Sequence, residues 1–131
     1  MISMILLKEC WRFLATFGLM IAGLLVSSFA EAATQDIGPV YLDSVSLILV
    51  SSGGHAPGDM EIKIHGGFTP SGVTCTDGNY VTTLASTDPT HTMLGMLTAV
   101  RIANIPIQLR ITDDPSHTAF SGRCSIVWGY F

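Results

Sequence analysis

The side chains in this chain with the widest chemical range are its four histidines, His55, His65, His91 and His117. A zinc site needs about four nitrogen, sulfur or carboxylate ligands, usually with two of them a few residues apart. These histidines fall in a turn-rich loop, on the outer face of a strand, in a first helical turn and in a late turn. No two stand at ligand spacing and no cysteine accompanies them. They read as surface histidines, with a shared role at a subunit contact as the other use open to such groups. Nucleophilic chemistry has no better footing, since no Gly-x-Ser-x-Gly elbow is present. Asp113 and Asp114 are adjacent in a turn, whereas an acid–base pair needs separated carboxyls with divergent pKa values in one cleft. Gly53-Gly54 and Gly66-Gly67 are not phosphate loops, because neither leads into a capped helix with Lys and Ser/Thr. The expectation is therefore a protein with no catalytic residue, no metal site and no cofactor, and not an enzyme.

Binding chemistry is better represented. Ser44 and Ser46 alternate along a strand on the face opposite its apolar residues and can hydrogen-bond a polar ligand. Trp128 and Tyr130, with Tyr80 and Phe131, can supply an aromatic platform for a sugar. The alternative is that Trp128 and Tyr130 are core residues, since in a regular strand they share the face of Cys124 and Ile126.

The chain has 131 residues, enough for one domain, and its overall composition of 48% hydrophobic and 12% charged residues averages two unlike segments. From Phe13 to Ala30 no residue is charged; Lys8 and Arg12 precede this run, and Ala30-Glu31-Ala32 follows it. A basic start, an apolar centre and small residues at the end make a signal peptide cleaved after Ala32, with a retained transmembrane anchor as the rival. The expected organisation is a leader over 1–32 and a single domain over 33–131, secreted or periplasmic and without a membrane association once the leader is cut. Beyond residue 32 there are four basic residues against eight acidic ones and no basic cluster, which argues against nucleic acid. Cys10 leaves with the leader, so Cys75 and Cys124 remain as a pair for an oxidising compartment, the alternative being two free thiols.

The elements that must hold these groups are mostly strands. Ala33 to Pro39 reads as a loose lead-in and Val40 to Val50 as a first strand. Met60, Ile62 and Ile64 alternate with Glu61, Lys63 and His65 in a second strand. Asp77-Gly78-Asn79 is a hairpin-type turn between Val73–Cys75 and a third strand, Tyr80 to Ala85. Asp88 and Pro89 cap and start a helix running Thr90 to Ala103, ended by Asn104 in a left-handed conformation and by Pro106. A fourth strand carries Ile105, Ile107, Leu109 and Ile111, and a fifth runs Cys124 to Phe131. The order β-β-β-α-β-β is mainly β. It predicts a small OB-like barrel with one helix, or alternatively an open antiparallel sheet with a packed helix. The helix is apolar over a wide arc, which suggests cover by the sheet on one side and a neighbouring subunit on the other.

In the first strand Ser44 to Val50, the helix end Leu97-Thr98-Ala99-Val100, the return Asn104-Ile105-Pro106-Ile107-Gln108-Leu109-Arg110-Ile111 and the closing strand behind a cysteine, the chain resembles the B subunits of subtilase-cytotoxin and pertussis-like toxins. Small exported bacterial proteins of unassigned role share the same helix-then-strand pattern. The resemblance implies an OB fold, a homo-oligomer (a pentamer) and recognition of a cell-surface glycan, with Ser44 nearest the family's glycan-contacting serine. The family's second cysteine pair and the aromatic segments flanking its helix have no counterpart here. Two functions follow as expectations. One is an exported binding module for a glycan or partner protein, with Ser44, Ser46, Trp128 and Tyr130 as ligand contacts. The other is an exported structural or accessory protein without a small-molecule ligand.

Overall fold

A computed structural model describes residues 32–131; the leader expected over 1–32 lies outside them but for its last residue. Six strands and one helix follow in the order β1 (Thr34–Val40), β2 (Leu42–Leu47), β3 (Met60–Ile64), β4 (Tyr80–Thr83), α1 (Thr92–Ala103), β5 (Ile107–Thr112) and β6 (Cys124–Tyr130). They form one sheet, ordered β1-β5-β6-β4-β3-β2. Every pairing is antiparallel except β4 with β6, which is parallel because the chain crosses over through α1 and β5 between them. The protein is thus mainly β with one helix. The sheet is open and mixed, not a closed barrel, so of the two expected architectures the open sheet with a packed helix is the one formed.

The edge strands explain how an open sheet still encloses a core. β1 and β2 lie at opposite edges, yet only Tyr41 separates them in sequence. The sheet must curl until its two edges meet at that residue. Counted as one bent strand, β1 and β2 restore the five-strand element order expected. The segment expected as a lead-in, Ala33 to Pro39, is instead ordered by pairing Thr34 to Ile37 with Thr112 to Leu109. The bend sits at a register shift between Ile37 and Val40. There Gly38 has φ +126°, and a Cβ would stand 2.7 Å from the Ile107 carbonyl oxygen, so only glycine lets the strand pass this close. The expected first strand is correspondingly shorter, ending at Leu47 and leaving Leu49 and Val50 exposed.

Inward residues of the strands make the core: Ile37, Ile62, Val81, Leu109, Ile111 and Ile126 are buried, and Leu97 and Val100 of α1 are buried with them. Met93, Leu94 and Met96 pack partly against this core, while Ile102 is 78% exposed. The wide apolar arc of the helix is therefore largely used within the domain. Asp88 caps the helix as expected, from a greater distance: its Oδ1 and Oδ2 accept the Met93 and Leu94 backbone N–H at 3.1 and 3.0 Å. The helix begins at Thr92, two residues later than expected, because His91 takes a left-handed conformation. At the other end Asn104 is left-handed, with Asn104 N–H to the Arg101 carbonyl and Ile105 N–H to the Val100 carbonyl closing a Schellman pattern.

The disulfide Cys75–Cys124 is present, with Cα atoms 5.4 Å apart and its ends 49 positions apart in sequence. It fastens the segment before β4 to the start of β6. Asp77-Gly78-Asn79 is not a hairpin turn, because Val73–Cys75 forms no strand. Asp77 Oδ1 instead accepts Asn79 and Tyr80 N–H, turning the chain into β4.

Candidate functional site

A break in the pattern of β6 decides where its aromatic residues go. Ile126 pairs with Ile111, but Trp128 pairs with Arg110, so two steps along β6 match one along β5. Val127 is the extra residue of a β-bulge, and it reverses the facing of everything after it. Ile126 points inward with Ile111. Trp128 and Tyr130 point outward with Arg110 and Gln108, and Gly129 takes the inward position beside Leu109. Trp128 and Tyr130 therefore do not share the face of Cys124 and Ile126, correcting the regular-strand expectation. They are 36% and 51% exposed.

The outward residues form a row across three strands. Arg110 of β5 stands between Asp36 of β1 and Trp128 of β6. Its Nε and Nη2 each donate to the Asp36 carboxylate at 2.7 Å, a bidentate pair. The same guanidinium lies 4.8 Å from the Trp128 ring centre, and the Tyr130 ring is tilted 31° to Trp128 with centroids 4.8 Å apart. Hydrogen bonding to Arg110 holds the Asp36 carboxyl below its usual pKa and raises that of Arg110. The charges cancel locally, leaving a polar but neutral flank beside two rings whose positions are fixed by the ladder. Phe131 adds a further exposed ring at the strand end.

Ser44 and Ser46 lie elsewhere. They sit on the edge strand β2, paired with Lys63 and Glu61, with β3 and β4 between β2 and β6 in the sheet. The structure brings Trp128 and Tyr130 together and does not join the two serines to them through any contact. Tyr80 is also separate: its ring lies 4.6 Å from the Arg123 guanidinium, and Phe120 faces that group at 4.6 Å.

Arg123 organises a second cluster that sequence reasoning missed. Its Nε donates to Asp77 Oδ2 at 2.9 Å and its Nη1 to Glu61 Oε2. His55, expected at the surface, is 7% exposed, stacked on Phe120 at 5.0 Å with Nε2 3.4 Å from Glu61 Oε2. Its Nδ1 is buried without a partner among the described residues. Next to this cluster is a cleft of about 390 Å³ lined by Thr74, Cys75, Asp113, Thr118, Gly122 and Arg123 among others. Asp113 there is committed to structure: it accepts Thr74 N–H and Oγ1–H and Ala33 N–H, which lower its pKa despite the opposing effect of burial. Each charged group facing this cleft is already answered from within the fold, so the cluster reads as an anchor for β6. Among the described residues no three His, Cys, Asp or Glu side chains converge as a metal site, and no helix is long and apolar enough to cross a membrane.

No protein-family model matches this chain, and comparison with curated proteins and with solved structures finds no match either.

Proposed function

We propose that the chain is an exported, non-catalytic binding module that holds a glycan against Trp128 and Tyr130. The observation that carries this reading is the bulge at Val127, which turns two rings outward beside the Asp36–Arg110 pair. A sugar ring needs an apolar surface for its C–H face and fixed polar groups at its edge. Tyr130 offers the first, and Arg110, Asp36 and Gln108 offer the second. The rings are held by the sheet, so little conformational freedom is lost on binding. The pentameric, toxin-B-subunit-like form belongs to the same proposal, with exposed Ile102 on the helix as its candidate contact.

A glycan panel probed with the exported, disulfide-closed protein tests the reading. A specific signal that falls by about tenfold or more in Trp128→Ala and Tyr130→Ala, with unchanged melting temperature, supports it. A broad panel without signal favours the second reading, a structural or accessory protein without a small ligand. One observation favours that alternative: Arg110 already covers part of the Trp128 ring, as a purely structural cross-strand pair would.

A further inference from the structure

The four basic residues beyond position 32 are used unequally. Arg110 is neutralised by Asp36, and Arg123 by Glu61 and Asp77. Lys63 pairs with the Asp43 carboxylate, and Arg101 stands near it, where the end of α1 approaches the start of β2 and the end of β3. A cleft of about 270 Å³ opens there, lined by Tyr41, Leu42, Asp43, His65, Arg101 and Asn104. Arg101 is held by a single bond, its Nε donating to the Asp43 carbonyl at 2.7 Å. Among the described residues it has no carboxylate partner. Asp43 is the one carboxylate of the lining, and it is shared: Oδ1 lies 2.7 Å from His65 Nδ1 and Oδ2 3.4 Å from Lys63 Nζ.

Lys63 answers the Asp43 charge from outside the lining, which leaves Arg101 as the cation of the cleft without a carboxylate partner among the described residues. The cleft thus presents an uncompensated guanidinium on a domain with twice as many acidic as basic residues. From this juxtaposition we infer that the cleft is a binding site for the carboxylate of a small organic acid. The planar guanidinium of Arg101, tethered through Nε, leaves its terminal amino groups for a bidentate contact with an oxyanion. His65 and Lys63 hold the two oxygens of the Asp43 carboxylate, and the half-exposed Tyr41 ring offers an apolar wall. One positive charge matches a monoanion. A phosphate dianion is disfavoured by Asp43 and by the negative end of α1 close by. The volume is below the roughly 300–1,000 Å³ of drug-sized sites, which limits the occupant to a small molecule or one terminal group.

This inference does not depend on the aromatic platform. Its test is a titration of the ¹⁵N-labelled, disulfide-closed protein with acetate, inorganic phosphate and methyl glucoside, each at low and at high salt. Acetate is expected to move the amide signals of Asp43, His65, Arg101 and Asn104 saturably, and to leave Trp128 and Tyr130 unmoved. The affinity should fall steeply in about 1 M salt, where the Debye length is about 3 Å. Arg101→Gln should weaken acetate by about tenfold, and Arg101→Lys by less, since it keeps the charge without the planar fork. Equal binding by wild type and Arg101→Gln overturns the assignment, as does phosphate binding more tightly than acetate, or movement with methyl glucoside alone. Failure here with success on the glycan panel would leave the platform reading intact, and the reverse holds as well.

Discussion

The outward turn of Trp128 rests on Gly129 occupying the inward position, and a single methyl group tests it. In Gly129→Ala the new Cβ would stand 2.8 Å from Leu109 Cδ2, 3.3 Å from Ile107 Cδ1 and 3.3 Å from the Gln108 carbonyl oxygen. Leu109 and Ile107 are fully buried, so neither can swing into solvent. Overpacking of this kind costs about 1–3 kcal/mol. Gly129 does not have a left-handed φ, so alanine is compatible with the backbone and recovers about 0.4–1 kcal/mol through the unfolded chain. The net expectation is a loss of about 1–2 kcal/mol, or a melting temperature lower by about 5–15 °C in a domain of this size. Urea unfolding followed by fluorescence reads it directly, because Trp128 is the one tryptophan beyond residue 32. The same substitution in a Leu109→Ala background should cost clearly less, since the closest clash is gone and only the two 3.3 Å contacts remain. Without the bulge, Gly129 would face solvent and alanine would be neutral or stabilising. A stabilised Gly129→Ala would refute the facing of both aromatic residues, and the platform with it.

Three other outcomes follow from the same contacts. Asp88→Ala removes the acceptor of two helix N–H groups and should cost about 2 kcal/mol in thermal melts, with Asp88→Asn in between because one acceptor survives. Replacing Cys75 and Cys124 together by alanine opens a 49-residue span and should lower stability by about 4 kcal/mol; a loss under about 1 kcal/mol in urea titration would contradict the chain-entropy account. Asp36, Asp43, Asp77, Asp113 and Asp114 all have lowered folded-state pKa values, so the unfolded chain takes up protons first as pH falls. Their contribution is complete above about pH 5 and is lost as pH falls through the depressed folded values, so a melting temperature that stays level from about pH 5 to pH 2 would count against it.

Much of this fold is written in local patterns. The alternation of Met60, Ile62 and Ile64, the capping role of Asp88, the left-handed Asn104 and the cysteine pair are all short-range signals, and each appears in the structure at or close to its expected position. The features that escaped are those set by partners far along the chain. Ala33 to Pro39 has weak strand character, and only the β5 edge makes it β1. The bulge at Val127 leaves no compositional mark. One available sign is Gly129 itself, a glycine in a strand interior, which often marks a bulge or a close approach. His55 looked like a loop histidine because its loop is polar, and its burial depends on Phe120 and Arg123. Of the four residues expected to contact ligand, Trp128 and Tyr130 share a surface, whereas Ser44 and Ser46 were linked to them only by facing away from their own strand's apolar side.

The fates of the arginines offer a way to separate architecture from binding. Arg123 sits between Tyr80 and Phe120, bonded to Asp77 and Glu61, with only 16% of its side chain exposed. Arg123→Gln would leave Asp77 and Glu61 without their shared cation in a partly closed setting, a change that typically costs about 3–5 kcal/mol when the pair is fully buried. Partial exposure reduces this to about 2–4 kcal/mol, enough to unfold much of the population of a marginal domain. Arg101→Gln loses one exposed bond to a carbonyl and should stay within about 0.5 kcal/mol of the parent. Both residues are cations beside strands, yet the first is held by carboxylates the fold supplies and the second has none supplied to it among the described residues. Urea titrations of the two variants side by side therefore test the division itself. Equal losses would mean that Arg101 is structural as well, and its guanidinium would no longer be free for a ligand.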